Sequence, residues 1–299
     1  MAKKRMKYIK SNEQLEFDLN RPFEHDRNYQ LGGRSFYFFD FDDNVAYLST
    51  PIVIFHKENG EQKLLSSGEF AKNSKIIGKE GRYKDYYVDF NDEVGSFQFF
   101  RDKELNLFEK ITRKKQSFLS DVEKAIRLNT KRWKAPSWNC FYHATFNKRP
   151  MSVITARGHH SETIKDGINI MVKEGHIPHM PNFLSLYPVS NPQTRKELGD
   201  TDLKASVPEL KRKAIRGSVE KAIVKYGYSP YHRFGMSDDD PHNIELITEE
   251  MRNLKSDYPE MSFFVIETND DSFVKREVKF TGIKSEFRSN CKNGQLNLF

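Results

Sequence analysis

Cysteine is almost absent from this 299-residue chain, which has Cys140 and Cys291 and no others. Two thiols cannot build the disulfide framework of a small secreted fold, and neither has neighbours at zinc-ligand spacing. Long apolar runs are missing too: no stretch approaches the roughly 20 residues of a membrane-spanning helix. The opening MAKKRMKYIKSNEQ is basic but lacks the apolar stretch of a secretory signal. No segment repeats. These absences lead us to expect a soluble, cytoplasmic protein from a reducing compartment, without membrane partners.

Charge and apolar residues are both plentiful, at 30% and 37% of the chain. A chain of this length can bury a sizeable core and exceeds one average domain, so we read one main domain with a large insertion. The net charge is +7 and the pI about 9.1. That balance favours anionic partners: phosphorylated metabolites, nucleic acid or anionic lipid. It does not choose among them.

Periodicity divides the chain. Ser35 to Phe41 is an apolar run that reads as a buried strand ending at an acidic cluster. IVIFHKENGEQKLLSS reads as a hairpin turning at Asn59-Gly60, and YYVDFNDEVGSFQFF as a second strand pair. SFLSDVEKAIRLN places Phe118, Val122, Ala125 and Ile126 at helical spacing, with Ser117 or Ser120 as its cap. From about 137, strands and helices alternate. A strand at Ser152–Thr155 precedes a helix capped by Ser161 and carrying Ile164, Ile168, Met171 and Val172. FLSLYPV, a helix from Ser206 to Tyr226, a strand from Tyr231 to Met236, a helix at Glu245–Leu254 and MSFFVIET follow. Such alternation predicts an α/β domain with a largely parallel sheet, whose ligands sit beyond the carboxyl ends of the strands. Asp40, Thr155 and Asp238 fall at such ends.

The cluster Asp40-Phe-Asp42-Asp43-Asn44 also suits a turn or a helix cap. A helix–loop–helix calcium site fails on detail: Val45 stands where glycine is required, and Pro51 where the bidentate Glu belongs. Carboxylates crowded at a strand end repel one another unless a cation offsets them. A second cluster, Asp238-Asp239-Asp240, follows another apolar strand. Two such clusters on one sheet edge make an oxygen-rich site suited to Mg²⁺. With the hydroxyl of Thr155 and the basic helix start Lys211-Arg212-Lys213, the set matches what a transferring phosphoryl group needs.

These segments resemble the haloacid dehalogenase-like superfamily of hydrolases, on its phosphatase branch. FYFFDFDDNV is similar to its first motif, MSVITARG to the second, PELKRKAI to the lysine-bearing third and FGMSDDDPHN to the acidic fourth. Asp43-Asn44 replaces the usual Gly-Thr. The resemblance implies a Rossmann-like parallel sheet with helices on both faces and an α+β cap inserted between the first and second motifs. In residue terms it implies an arm at 1–34, a core at 35–50 and 136–280, a cap at 51–135 and a tail at 281–299. It implies Asp40 as nucleophile, Asp42 as acid and base, Thr155 and either Lys211 or Lys213 on the phosphoryl group, and Mg²⁺ held by Asp40, Asp42, Asp238 and Asp239. Asn44, Thr155, Ala156 and Arg157 become candidate substrate contacts. The expected function is a Mg²⁺-dependent phosphomonoester hydrolase whose phosphorylated substrate is not specified.

Other features have plainer readings. His159-His160 and His176-Ile-Pro-His179 read as loop histidines, and Trp133 and Trp138 as packing. The ending Gln295-Leu-Asn-Leu-Phe299 resembles the pentapeptide by which bacterial replication proteins bind the sliding clamp. It supports an alternative: a nucleic-acid- or clamp-associated protein with an idle or end-processing phosphatase site.

Overall fold

The computed structural model describes residues 22–91, 93–111, 114–127, 133–269, 272–280 and 282–290. After β1 (Ser35–Phe39) comes an inserted region with β2 (Ile52–His56), β3 (Gln62–Leu65), α1 (Ser67–Asn73), β4 (Tyr86–Tyr87), α2 (Leu107–Ile111) and α3 (Ser117–Arg127). The chain continues through α4 (Trp138–Phe146), β5 (Pro150–Thr155), α5 (Ser161–Lys173), β6 (Asn182–Pro188), α6 (Pro192–Glu197) and α7 (Val207–Tyr226). It closes with β7 (Arg233–Asp238), α8 (Pro241–Asp257), β8 (Ser262–Asn269), β9 (Ser272–Lys279) and β10 (Gly282–Asn290).

Among the described residues, seven strands form one sheet in the order β6-β5-β1-β7-β8-β9-β10. The pairs from β6 to β8 are parallel, and β9 and β10 are antiparallel. From central β1 the chain steps outward through β5 and β6, then returns to the other side of β1 for β7 and β8. That reversal opens a crevice beyond the carboxyl ends of the central strands.

Both faces of β1 are covered, which is why all five of its residues are buried. Phe36 and Phe38 pack with Leu210, Ile215 and Ile247 of α7 and α8. Tyr37 and Phe39 face the other way, toward Val122, Phe141 and Ile168 of α3, α4 and α5. Successive strand residues point to opposite faces, so helices lie on both sides of the sheet. The sheet is thus mostly parallel within an α/β fold, as the alternation predicts.

The inserted region has its own three-stranded antiparallel sheet, β3-β2-β4, over a small cluster of Ile54, Leu65, Ile77 and Tyr83. Its hairpin turns at Gly60, whose φ of +69° suits a residue without a side chain. Of the second expected strand pair, Tyr86–Tyr87 alone becomes a strand, pairing with β2. Asp89 and Asn91 capture the amides of Asn91, Glu93 and Val94 with their side chains, which turns the backbone before a partner strand can form. α3 buries Phe118, Val122, Ala125 and Ile126 as its spacing predicts and joins the main core.

Several boundaries differ from expectation; the strand expected at Tyr231–Met236, for one, is Arg233–Asp238. His160, not Ser161, precedes α5 as its N-cap, without a side-chain cap bond. α8 starts earlier, at Pro241, capped by the Asp240 carboxylate on the His242 amide. Residues 282–290 add β10 to the sheet edge, where the sequence reading ends the core at 280. No helix among the described residues is long and apolar enough to cross a membrane.

Candidate active site

Strand register brings the two acidic clusters together. Phe39 pairs with Ser237, and the Asp40 amide donates to the Ser237 carbonyl at 2.9 Å. Asp40 and Asp238 therefore leave adjacent parallel strands side by side. α7 reaches them from one face of the sheet. A capping box between Ser206 and Glu209 fixes its start, and Lys211 lies in its first turns. The Lys211 ammonium is 3.0 Å from Asp40 Oδ1 and 2.7 Å from Asp238 Oδ2. Lys213, two residues on, is exposed and leaves the constellation, because two helical steps carry a side chain to the far face. Asp40, Asp238 and Asp239 each present one carboxylate oxygen, all within 4.8 Å of one another.

The electrostatics are strained. Burial pushes the Asp40 carboxyl well above the usual range, Lys211 pulls it back, and Asp238, Asp239 and Asp42 raise it further. Burial, then Asp238 and Asp43, lift Asp239 to about 7. Burial works against the Lys211 charge, but Asp238 and Asp40 more than offset it and raise its pKa. One ammonium among three carboxylates leaves negative charge uncompensated, which is the setting in which oxygen donors take up a divalent cation.

A buried scaffold holds the strand ends. The Asn44 amide nitrogen donates toward the Asp40 carbonyl at 2.9 Å and Ser237 Oγ at 2.8 Å. Its oxygen accepts from Ser137 and Thr268, both at 2.9 Å. One side chain thus ties β1, β7, β8 and the start of α4. Asn44 is completely buried, and its amide is already engaged by these scaffold groups. Asp238 is held on its other side by the Asp240 amide and the Asn243 side chain. Ser137, Thr268 and Asn243 went unnoticed in the sequence; each is a single polar residue at an element end, with no motif around it.

Asp42 sits beside this group but points elsewhere. Arg157 grips its carboxylate in fork geometry, with Nε 2.8 Å from Oδ2 and Nη2 2.6 Å from Oδ1. Thr155 Oγ1 lies 3.3 Å from Asp42 Oδ2. The guanidinium stacks between Phe100 and Phe118 of the inserted region, 4.7 and 4.8 Å from their ring centres, and donates to Thr50 at 2.7 Å. Arg157 is fully buried, so it aims Asp42 and does not present itself to the open rim, where Ala156 is exposed. Asp43 takes a left-handed φ of +55° and accepts from Ser67 of α1 at 2.6 Å, a second contact between insertion and site.

His159 is buried beneath this layer, against Phe118. The Ser117 hydroxyl donates to the Phe99 carbonyl, so His159 Nε2 must carry the proton it shares with that oxygen. Burial and then the Arg157 charge depress its pKa to about 2, and the ring stays neutral. His176 packs on Trp133, which meets Trp138 edge to face, as the packing readings predict. His179 contacts the Met180 carbonyl. The Gln295–Phe299 pentapeptide and Cys291 lie outside the described residues. No family model, no curated protein and no solved structure matches this chain.

Proposed function

We propose that the chain is a divalent-cation-dependent phosphomonoester hydrolase working through an aspartyl-phosphate on Asp40. One observation carries the reading: carboxylates from the ends of two adjacent central strands meet around a single buried ammonium. The donor set is oxygen only and carries excess negative charge. Both properties fit a hard ion such as Mg²⁺, held by Asp40, Asp238 and Asp239 with the Asp42 backbone. When bound, the ion would neutralise phosphoryl oxygens as charge builds on them. The motif order and the sheet order around β1 suit a haloacid dehalogenase-like phosphatase with a Rossmann-like core and an inserted cap.

Lys211 engages Asp40 Oδ1, which leaves Oδ2 to attack phosphorus. As the bond from phosphorus to the leaving oxygen breaks, Asp42, protonated and turned out of the Arg157 fork, gives that oxygen a proton. Asp42 then takes a proton from water while the water oxygen attacks phosphorus and releases Asp40. Thr155 holds a phosphoryl oxygen next to Asp42. Arg157 acts through Asp42 as a positioning residue. A phosphotransferase differs only in replacing water by another acceptor.

Phosphate release from an aryl phosphate, measured with Mg²⁺ and with chelator, tests this reading. The release should require the ion and fall on the order of 10³-fold or more in Asp40→Asn. Equal rates in the two proteins would overturn it.

A further inference from the structure

The opposite end of the sheet has a different surface. Here, at the strand beginnings, a cleft of about 110 Å³ is bordered by Phe23, His25, Tyr29, Arg34, Lys148 and Arg149. The His25 and Tyr29 rings stack at 4.6 Å, and Phe23 meets His25 edge-on at 6.0 Å. These rings are not core: Phe23 is 54% exposed and Tyr29 57%. Tyr228 and Tyr231 add exposed rings at the same end, at 55% and 44%. The segment bearing Phe23 to Tyr29 is firmly seated. Asn28 donates to the Tyr231 carbonyl, the Arg149 guanidinium donates to the Glu24 carbonyl, and a side chain on Gly33 would meet Tyr231 O at 2.4 Å.

Around the cleft the exposed charges are cationic, although Glu260 lies on the Tyr228 hydroxyl at the same end. The cleft's buried acid, Asp26, is neutralised by Arg149 at 2.7 Å, while Arg27, Arg34 and Lys148 are exposed. The preceding sequence from residue 1 carries Lys3, Lys4, Arg5, Lys7, Lys10 and Arg21 against Glu13, Glu16 and Asp18. Exposed rings interleaved with cations are the composition that binds an unpaired polynucleotide, by stacking bases and neutralising phosphates. The cleft is well below the ~300 Å³ lower bound of small-molecule pockets, so it accepts one planar ring and not a whole free nucleotide.

We propose that this face binds single-stranded nucleic acid, with Phe23, His25 and Tyr29 as a stacking platform and Arg34 and Lys148 on the backbone. It lies about 17–20 Å from the acidic rim, the length of a five- to six-residue strand. The site is therefore separate from the phosphoryl chemistry and stands whether or not that chemistry operates.

Fluorescence anisotropy of the full-length protein with a labelled oligothymidylate, in chelator so that no turnover at the acidic rim contributes, tests it. The oligonucleotide should bind, bind more weakly as salt rises, and be preferred over a duplex of equal length. Joint replacement Phe23→Ala and Tyr29→Ala should weaken binding about tenfold or more, from lost stacking. Lys148 has a φ of +52°, a conformation that asparagine tolerates, so Lys148→Asn removes the charge without backbone strain and should flatten the salt dependence. Absence of binding at low salt, equal affinity for duplex, or unchanged affinity in the aromatic double variant with a native melting curve would each overturn the proposal.

Discussion

At the scale of single residues, the rim is a balance between buried charges. Among the described residues Lys211 is the one ammonium reaching both Asp40 and Asp238, so Lys211→Met removes charge stabilisation that none of them replaces. Under the proposed chemistry, kcat should fall by roughly 10²–10³-fold, measured on the same aryl phosphate. Arg157→Lys keeps a positive charge but loses the fork on Asp42. A general acid displaced by an ångström costs about 10²-fold, so kcat should drop by about that much with little change in KM. His159 gives a pH signature. Its folded pKa is about 2 against an ordinary 6.5, so the unfolded chain takes up a proton first as pH falls. Stability should therefore decline below about pH 6.5, and His159→Gln, which keeps a donor for Ser117, should flatten that decline in thermal melts. Asp40, Thr155 and Asp238 were legible in the sequence because each ends an apolar run. The choice of Lys211 was not, since only the helix phase relative to the sheet separates it from Lys213. The Arg157–Asp42 fork was also hidden, because nothing in Thr-Ala-Arg tells which way the guanidinium turns.

At the scale of elements, apolar periodicity placed β1, α3, β5, β6, α7, β7 and β8 because each buries a coherent face. It failed where side chains capture backbone amides, as at Asp89 and Asn91, and where strands are mostly charged. β9, SFVKREVK, buries Phe273 and Val278 among polar neighbours, and such a sparse pattern reads as surface. α4 was also missed: WNCFYHATF is apolar nearly all round, so no stripe marks it as helical. The packing of α3 on α5 rests on one missing side chain. A Cβ at Gly167 would lie 2.3 Å from the Phe118 ring, which is fully buried. Gly167→Ala should therefore destabilise the fold by about 1–3 kcal/mol through overpacking, measured by urea denaturation. A cost near zero would mean that the two helices slide apart freely.

At the scale of the whole molecule, the acidic cluster lies at the strand ends, and the exposed rings with Arg27, Arg34 and Lys148 lie at the strand beginnings. A cation at the acidic pole should stabilise the fold by mass action, by about 2.7 kcal/mol at a concentration 100 times its Kd. The melting temperature should rise with Mg²⁺ or Mn²⁺. Asp239→Asn should raise the metal-free melting temperature, by removing a half-buried, repelled carboxylate, and should diminish the response to the ion. An unaltered ion response in that variant would place the cation elsewhere.

The stacking of Arg157 between Phe100 and Phe118 has a consequence for how this architecture can change over evolutionary time. The two rings come from the inserted region, and the carboxylate they help to aim comes from the loop after β1. Excising residues 51–135, or grafting a foreign segment in their place, would strip the guanidinium of its aromatic cover and leave it to solvent or to a new partner. Replacing the hairpin tip should leave this fastening intact, whereas chimaeras that lose Phe100 and Phe118 should lose the Arg157 fork on Asp42.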